Sequence, residues 1–558
     1  MTVIRDVQIK YLIFFILTTN ILAQLNVQFP ISIPADSTHN YKCGFPDILV
    51  ANSPANTEIL KQRQGMKVTA SQYDSVYFSP SGHFKIFYNI EGIYQIPDYD
   101  RDQNGIPDYL EFVAKSFDRA WSVEVDLLGF NPPPDSSGNF REIYPVHCRL
   151  LSGFEKAYGQ TVLEFEIPSK PNLNYVTFVE INTNFSFVNY PGVSDPIVRD
   201  SMAIAVTAAH EFNHALQTGY RLWSNNDTFH DFWFIESSAT FMEEIVAPEV
   251  NDYLLYLDDY FWKAHLPLDQ SSGDLDDYGK VVLEILLGER FEKQFVRKTW
   301  EEIENQRALP ALETVLRSVH GDLSAEFRRL SAWLYFTGER AVAGQFFPDA
   351  ALFPDPIFLF GEPVDDIKNV LMSDSLPRLS FQWYVSSILD HIPLQLYLKA
   401  TQGSNASLSA ATLIPSPAMT FIQFPASTTY QIDLSPGQNV LPVCIVNSSL
   451  SGDDYFNFEV VSKPFSQPIS TEVKVFPQPF RLSNSQQFLQ FENLPKNSTV
   501  SIFNSQGLHL ITLNTPEDKQ GLIWNLRNEQ GYRVGSGVYI FYVKSSDIEQ
   551  QGKFVIIH

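Results

Sequence analysis

Residues 195–219, DPIVRDSMAIAVTAAHEFNHALQTG, decide the fold of the region around them. Asp195 followed by Pro196 is typical of a helix N-terminus, because an aspartate can cap free backbone N–H groups and proline fits the first helical position. Gly219 is typical of the position just after a helix. The sequence therefore predicts one helix of about 23 residues.

Within this helix, His210, Glu211 and His214 form the pattern H-E-x-x-H. Residues four positions apart lie on the same helix face, so both imidazoles can bind one zinc ion while Glu211 lies beside the water that the ion polarises. The chain has only 11 histidines in 558 residues, so composition alone produces the pattern on the order of once in a hundred such chains. Two histidines without a metal are the alternative interpretation.

A catalytic zinc site needs a third protein ligand. The metzincin pattern H-E-x-x-H-x-x-G-x-x-H is excluded, because Gln217 and Tyr220 stand where it requires Gly and His. The segment WFIESSATFMEE offers three carboxylates instead: Glu236, Glu243 and Glu244. We favour Glu236, because the apolar residues 232–235 would hold it in the interior, where a carboxylate needs a partner such as a metal.

His210, His214 and Glu236 together resemble the ligands of the gluzincins, the thermolysin-like zinc peptidases, whose third ligand is a Glu on the next helix. The sequence departs from that class at Thr240, where the gluzincins have an Asp that supports a zinc-bound His. More closely, HEFNHALQTGY, WFIESSATFMEE and DYGK resemble a family of secreted bacterial metalloproteases over about residues 80–345.

Short strands alternate with long helical stretches in residues 81–345, which predicts an α+β domain. The resemblance implies that this domain is zincin-like and that it hydrolyses peptide bonds with Zn²⁺ and with Glu211 as general base. It also implies an oxyanion donor beyond the third ligand, with these candidates: Tyr278, His230 and Tyr253. The strand pattern YVTFVEINTNF at 175–185 fits either an edge strand that aligns a peptide or an ordinary core strand.

Residues 100–111, DRDQNGIPDYLE, match the calcium-loop pattern D-x-[DN]-x-[DN]-G-x5-E. In such a loop the ligands are Asp100, Asp102, Asn104, the carbonyl of Ile106, Asp108 and both oxygens of Glu111. The preceding YNIEGIYQIP is not helical, so the loop resembles the isolated, structural calcium loops of extracellular proteins. A similar D-x-D-x-N-G-x-P-D stretch precedes the catalytic part in the metalloprotease family. A solvated acidic turn is the alternative.

The N-terminal residues 1–23 have the order of a signal peptide, with Arg5 and Lys10 before the apolar run 11–23. The polar residues 24–80 are predicted to be a pro-segment. No later stretch has about 18 uninterrupted apolar residues, so we expect a mature chain without a membrane span. The net charge of −25, without a basic cluster, excludes nucleic acid as a partner.

Beyond about residue 345, the helical period gives way to period-two alternation between turn residues, which predicts all-β sandwich modules. The first, at 376–465, carries no motif and is open to packing or substrate-binding roles. The second, at 473–558, resembles type IX secretion sorting domains in its PQPF start, NSQG turn, GSGVYIFYV strand and final GKFVII. That likeness implies recognition by the type IX machinery and secretion from a Gram-negative bacterium. An adhesive or carbohydrate-binding sandwich is the alternative.

The cysteines number three, so at least one has no disulfide partner within the chain: Cys43, Cys148 and Cys444. Cys43, in YKCGFPDILV, resembles the K/R-C-G-x-P-D cysteine switch of matrixin propeptides, in which a thiolate occupies the fourth zinc position. A disulfide between Cys43 and Cys148 is the alternative. Cys444 is expected to be buried and unpaired.

These features predict a secreted zinc metalloendopeptidase that acts on protein or peptide substrates. Two other functions stay open. One is a surface or binding protein whose zincin domain is inactive, and the other is a metal-dependent hydrolase of a non-peptide substrate.

Overall fold

The computed structural model describes the following residues: 42–52, 73–151, 157–169, 174–222, 231–271, 275–364, 369–389, 393–402, 408–414, 420–425, 429–433, 440–452, 456–464, 473–481, 488–495, 497–515, 521–545 and 549–557. The predicted signal peptide, most of the predicted pro-segment and His230 lie outside them. The described chain has a mixed α/β part with a helical stretch, followed by a largely β part with several sheets.

The α/β part contains a sheet in the order β1-β2-β3-β5-β4. Its strands are β1 Ser75–Phe78, β2 Phe84–Tyr88, β3 Tyr144–Arg149, β4 Gly159–Glu166 and β5 Tyr175–Asn182. Strands β2, β3 and β5 run parallel, and β4 pairs antiparallel with β5 at one edge. Tyr175–Asn182 of the 175–185 pattern therefore forms an interior strand, and β4 is the edge strand beside it.

The helices are α1 Phe45–Asn52, α2 Asp108–Trp121, α3 Pro196–Gln217, α4 Phe232–Val246, α5 Leu257–Lys263, α6 Asp276–Gly279, α7 Val282–Arg290, α8 Phe295–Ile303, α9 Ala308–Ser318 and α10 Leu323–Trp333. Helix α3 begins and ends where its capping residues predict. The Asp195 side chain accepts a hydrogen bond of 2.9 Å from the Ile197 N–H, which caps the N-terminus.

Helix α3 is enclosed by the sheet and by helices α2 and α4. All its residues from Val206 to Gln217 are buried. Phe212, between the two histidines of the motif, contacts rings from three other elements: Phe84, Trp121 and Tyr144. The apolar side of α3 is thus held in a continuous core, which fixes the direction of its polar side chains.

Two further sheets, β11-β10-β13-β8-β6 and β12-β9-β14-β7, enclose a core of their own. Their strands are β6 Phe358–Phe360, β7 Asn369–Leu376, β8 Ser380–Ser387, β9 Pro393–Gln402, β10 Leu408–Ile414, β11 Thr420–Pro425, β12 Thr429–Asp433, β13 Val440–Asn447 and β14 Phe456–Pro464. In β13, Val443 and Ile445 face this core, whereas Cys444 and Val446 belong to the core of the helical part. The sheet that contains β13 is therefore buried on both faces around this strand.

The C-terminal strands form two more sheets, β15-β17-β20 and β16-β22-β21-β18-β19, around a third core. They are β15 Lys474–Phe476, β16 Phe480–Arg481, β17 Leu489–Glu492, β18 Thr499–Asn504, β19 His509–Asn514, β20 Leu522–Trp524, β21 Gly537–Lys544 and β22 Glu549–Ile557. None of the helices in the described ranges is both long and apolar enough to cross a membrane.

Candidate metal centre

Four side chains from three parts of the chain meet beside the buried half of α3. Cys43 precedes α1, His210 and His214 lie on α3, and Glu236 lies on α4. All four are buried, and one donor atom from each lies within 4.8 Å of the others. The two histidine Nε2 atoms are 3.0 Å apart. The Glu236 oxygens lie 3.3 Å from the Nε2 of His210 and 3.5 Å from that of His214.

The outer nitrogen of each imidazole contacts a side-chain acceptor. The Nδ1 of His210 lies 2.7 Å from Glu243 Oε1, and the Nδ1 of His214 lies 2.9 Å from Gln217 Oε1. Because both acceptors require an Nδ1–H donor, each Nε2 is left to offer its lone pair to a metal ion in the centre. Glu243, an alternative ligand by sequence, therefore contacts His210 from outside the cluster.

Gln217 occupies the position that excluded the metzincin pattern. Its amide donates to Asn213 Oδ1 at 2.7 Å and to the Ile235 carbonyl at 3.1 Å, so its oxygen is directed to His214. The hydroxyl of Thr240, where the gluzincins have a supporting Asp, donates to the Glu236 carbonyl. Thr240 therefore does not support a histidine of the cluster. Glu243 and Gln217 contact the two imidazoles instead, and no sequence pattern indicates this role for either residue.

The cluster fits a metal cation. Among the described residues, neither oxygen of the buried Glu236 carboxylate accepts a hydrogen bond. A buried carboxylate without a donor is costly, and here it faces two imidazole nitrogens and a sulfur. Nitrogen, oxygen and sulfur are the donors that zinc uses, and ligand atoms about 2.0 to 2.3 Å from a tetrahedral zinc lie roughly 3.3 to 3.8 Å apart. The measured separations are close to that range.

The electrostatics of the cluster also favour a cation. Burial alone would lower the pKa of His210, but Glu236 and Glu243 outweigh burial and raise it to about 9. Burial would raise the pKa of Glu236, but His214 and His210 outweigh it and lower the pKa to about 2. The negative charge of Glu236 and Glu243, which favours a proton on His210, would equally favour a metal cation in the centre.

Cys43 is held in the cluster by its neighbours in the chain. The Gly44 N–H donates to the Gly159 carbonyl at 3.0 Å, and the Tyr158 N–H donates to the Lys42 carbonyl at 2.7 Å, so this segment pairs with the edge of β4. Burial, followed by the carboxylates of Glu211 and Glu236, raises the pKa of the Cys43 thiol. A bound cation would reverse this, because a coordinated thiol is deprotonated.

The three cysteines are all buried and unpaired. The alternative disulfide between Cys43 and Cys148 is therefore absent, and Cys148 lies on β3. Cys444 is buried and unpaired, as expected.

Glu211 lies where β4 passes over α3. Its Oε2 accepts a 2.8 Å hydrogen bond from the Thr161 hydroxyl. A Cβ atom on Gly159 would lie 2.7 Å from Thr207 Cγ2 and 2.9 Å from Glu211 Cγ, distances that real Cβ contacts do not reach. Only glycine at position 159 lets the edge strand approach the helix this closely.

The three predicted oxyanion donors differ in their positions. Tyr278 lies beside the cluster, with its ring centroid 5.8 Å from that of His210 and its hydroxyl accepting a 3.3 Å hydrogen bond from the Cys43 N–H. Burial, followed by the Glu236 and Cys43 charges, raises the pKa of Tyr278. The Tyr253 hydroxyl instead donates to Asp349 at 3.2 Å. His230 lies outside the described residues.

The predicted calcium loop brings together three of its six proposed ligands. Oxygens of Asp100, Asp102 and Asp108 lie within 4.8 Å of one another. Gly105 has φ = +85°, the left-handed conformation that the sharp turn requires. Glu111 lies 3.6 Å from Lys115, and the Asn104 side-chain oxygen accepts a hydrogen bond from the Ile106 N–H. Glu111 is not part of the three-carboxylate group.

The loop contacts the start of the helix that carries the histidines. Arg101 donates two hydrogen bonds, of 2.9 and 2.8 Å, to the carboxylate of Asp195. Asp195 is the residue that caps α3. This exposed ion pair therefore connects the loop to the N-terminus of α3.

Calcium is expected to raise the melting temperature of the wild-type chain and to have no effect on the melting temperature of Asp102→Ala, which lacks one of the three clustered carboxylates. At 100 times Kd, a ligand specific for the folded state contributes about 2.7 kcal/mol, which corresponds to roughly 5 to 10 °C for a domain of this size. Scanning calorimetry with and without calcium measures the shift. If the three aspartates suffice to bind calcium, the shift in melting temperature should persist in Glu111→Gln. Loss of the shift would show that Glu111 is also a ligand, as the motif predicts. An unchanged wild-type melting temperature would exclude a calcium site.

Comparison with known proteins finds no matching family model and no similar curated protein. Among solved structures, the chain is similar to two Porphyromonas gingivalis proteins. They are PorZ of the type IX secretion system, with 23% identity over 20% of this chain and 17% of PorZ (TM-score 0.15), and latent PorU, with 13% identity over 35% of this chain and 19% of PorU (TM-score 0.14). The adhesin domain of Epf from Streptococcus pyogenes matches at 11% identity over 33% of this chain and 76% of that domain (TM-score 0.13). The chain thus has weak similarity to bacterial surface proteins and spans less than a fifth of PorZ or PorU.

Proposed function

We propose that the chain is a secreted, zinc-dependent metalloendopeptidase with a gluzincin-like ligand set of His210, His214 and Glu236. The observation that carries this proposal is the buried Glu236 carboxylate, which faces both histidine Nε2 atoms and accepts no hydrogen bond from the described residues. When bound, zinc would polarise the scissile carbonyl and make its water a nucleophile near neutral pH.

The side chains around the cluster support a role in peptide hydrolysis. Glu211 would take the proton of the attacking water and later deliver it to the leaving amine. Thr161, through its bond to Glu211 Oε2, would orient that carboxylate. Tyr278 would stabilise the developing oxyanion, because its hydroxyl faces the Cys43 backbone where a bound peptide would lie. His230 stays the second candidate for this role.

The full chain would be a zymogen. With Cys43 among the ligand atoms, the sulfur would occupy the position that a catalytic zinc leaves open for water. Phe45 and Leu49 of α1 are fully buried, so the same segment also covers apolar surface beside the centre. We infer that this segment must leave before a substrate can bind.

Residues 473–558 would direct export by the type IX secretion machinery. This rests on the sorting-domain motifs of the sequence and is supported by the two-sheet arrangement of β15–β22. The calcium loop would have a structural role at the N-terminus of α3.

Metal analysis of the purified full chain tests the proposal. We expect about one zinc per chain, because three protein ligands form one catalytic site. His214→Ala should lose this zinc, since it removes one of the three. After thiol modification, the wild type should cleave an unfolded protein, stop when zinc is chelated, and resume when zinc is restored. Cleavage that resists chelation, or a folded chain that binds no zinc, would contradict the proposal. Zinc binding without cleavage of any peptide would favour the inactive protein or the non-peptide hydrolase.

A further inference from the structure

Lys42, the residue before Cys43, has its side chain in a closed acidic pocket. Its Nζ bonds with Glu243 Oε2 and lies 2.6 Å from Asp252 Oδ2. The Lys42 side chain is only 2% exposed. The rings of Tyr158 and Tyr256 flank the ammonium group, with each centroid 5.3 Å from Nζ. A lysine is rarely this buried unless its charge is fully matched.

Apart from Lys42, the groups that line this pocket come from later parts of the chain. Asp252 Oδ1 accepts a 2.6 Å hydrogen bond from the Tyr190 hydroxyl and a 3.4 Å bond from Tyr158. Its Oδ2 accepts a 3.1 Å bond from Tyr256. Three tyrosine hydroxyls thus hold one carboxylate in a fixed orientation. We call Tyr158, Tyr190, Glu243, Asp252 and Tyr256 the Asp252 pocket.

The Asp252 pocket adjoins the metal centre. Glu243 bonds with Lys42 through Oε2 and with the Nδ1 of His210 through Oε1. The backbone on both sides of Cys43 pairs in parallel with Tyr158 and Gly159 at the start of β4, so it occupies a strand edge to which an extended peptide could also pair. If a substrate peptide bound as this segment does, the side chain next to its scissile bond would occupy the position of the Lys42 side chain.

Departure of the segment would leave Asp252 without a cationic partner among the described residues and Glu243 with only the Nδ1 of His210. Such a pair of carboxylates is strongly destabilised without a counter-charge, and a lysine or arginine side chain restores it. A neutral or acidic side chain cannot do so. The pocket would therefore select among substrates by charge.

We propose that the Asp252 pocket is a specificity site for a lysine or arginine side chain adjacent to the scissile bond. The substrate class would then be peptides with a basic residue at that position, and Lys42 would occupy the site in the full chain. This inference rests on the proposed peptidase function.

Binding and cleavage together test the site. Two labelled peptides that differ only in Lys against Met would be compared after thiol modification of the full chain. In the Glu211→Gln background, fluorescence anisotropy should show the Lys peptide bound more tightly, and this needs no turnover. In the active protein, kcat/KM should favour the Lys peptide by roughly 100-fold, because a site with unpaired buried charges rejects an uncharged analogue. Asp252→Asn should remove most of both preferences.

Two further variants keep the test decisive. Tyr190→Phe removes only one hydrogen bond to Asp252 and should reduce the preference even if Asp252→Asn does not fold. Asp349→Asn, which changes a carboxylate bonded to Tyr253 elsewhere in the same domain, should leave the preference unchanged. Cleavage without a Lys preference, or a preference that survives both pocket variants, overturns the inference while the peptidase function stands. Absence of cleavage with any peptide overturns the peptidase function, and the anisotropy result then decides the pocket separately.

Discussion

Glu211→Gln is expected to lower kcat/KM for an unfolded protein substrate by roughly 10²- to 10⁴-fold, because an amide cannot accept the proton of the attacking water. Zinc content and melting temperature should change little, since Glu211 is not among the clustered ligand atoms. Parallel measurements of kcat/KM, bound zinc and thermal melting separate a chemical effect from metal loss.

Thr161→Val is the matched control for this variant. It removes the hydroxyl that bonds with Glu211 Oε2 and leaves the carboxylate present. The loss of one such hydrogen bond should cost about tenfold in rate. If cleavage survives Glu211→Gln at the wild-type rate, Glu211 is not the general base.

Cys43→Ser should raise the activity of the full-length chain by about tenfold or more, because it increases the fraction of molecules with an open metal position. A serine hydroxyl is a much weaker zinc ligand than a thiolate. Initial rates on a fluorogenic peptide mixture, before any processing of the chain, measure the effect. A thiol-modifying mercurial should activate the wild type and leave Cys43→Ser unchanged.

Cys444→Ser is the control, because Cys444 is also buried and unpaired but lies on β13. It should neither activate the chain nor abolish activation by the mercurial. An equal rate for Cys43→Ser and the wild type would show that the Cys43 sulfur does not limit access of the substrate to the metal. Lys42 would then be the remaining anchor of the segment.

The parts of the site that the sequence predicts are those set by local spacing. Asp195 and Pro196 mark the start of α3, and the four-residue spacing of the two histidines puts them on one helix face. Glu236 was favoured because its apolar neighbours predict an interior position, and the structure brings it to the histidines. A short motif makes Cys43 a candidate ligand, with a disulfide to Cys148 as the alternative, and the structure brings Cys43 into the same cluster.

The parts that could not be predicted depend on how separate elements pack. Glu243 reaches the Nδ1 of His210 only because of how α4 packs against α3, which no local pattern records, whereas Gln217 lies on α3 itself, three residues after His214. The Asp252 pocket gathers side chains from residue 158 to residue 256, and the chain carries no motif for it. The pattern at 175–185 fits either an edge strand or a core strand, and only the crossover order of the sheet makes β5 an interior strand and β4 the edge beside it.

The sheet that contains β13 makes the first β module part of the same folded body as the helices. Cys444 and Val446 lie in the same core as the helices, and Phe381 on β8 contacts Phe327 on α10. A fragment that ended near residue 345 would expose this apolar face to water and would be prone to aggregation. The shortest fragment that keeps the core of the metal centre closed therefore extends through β14, to residue 464.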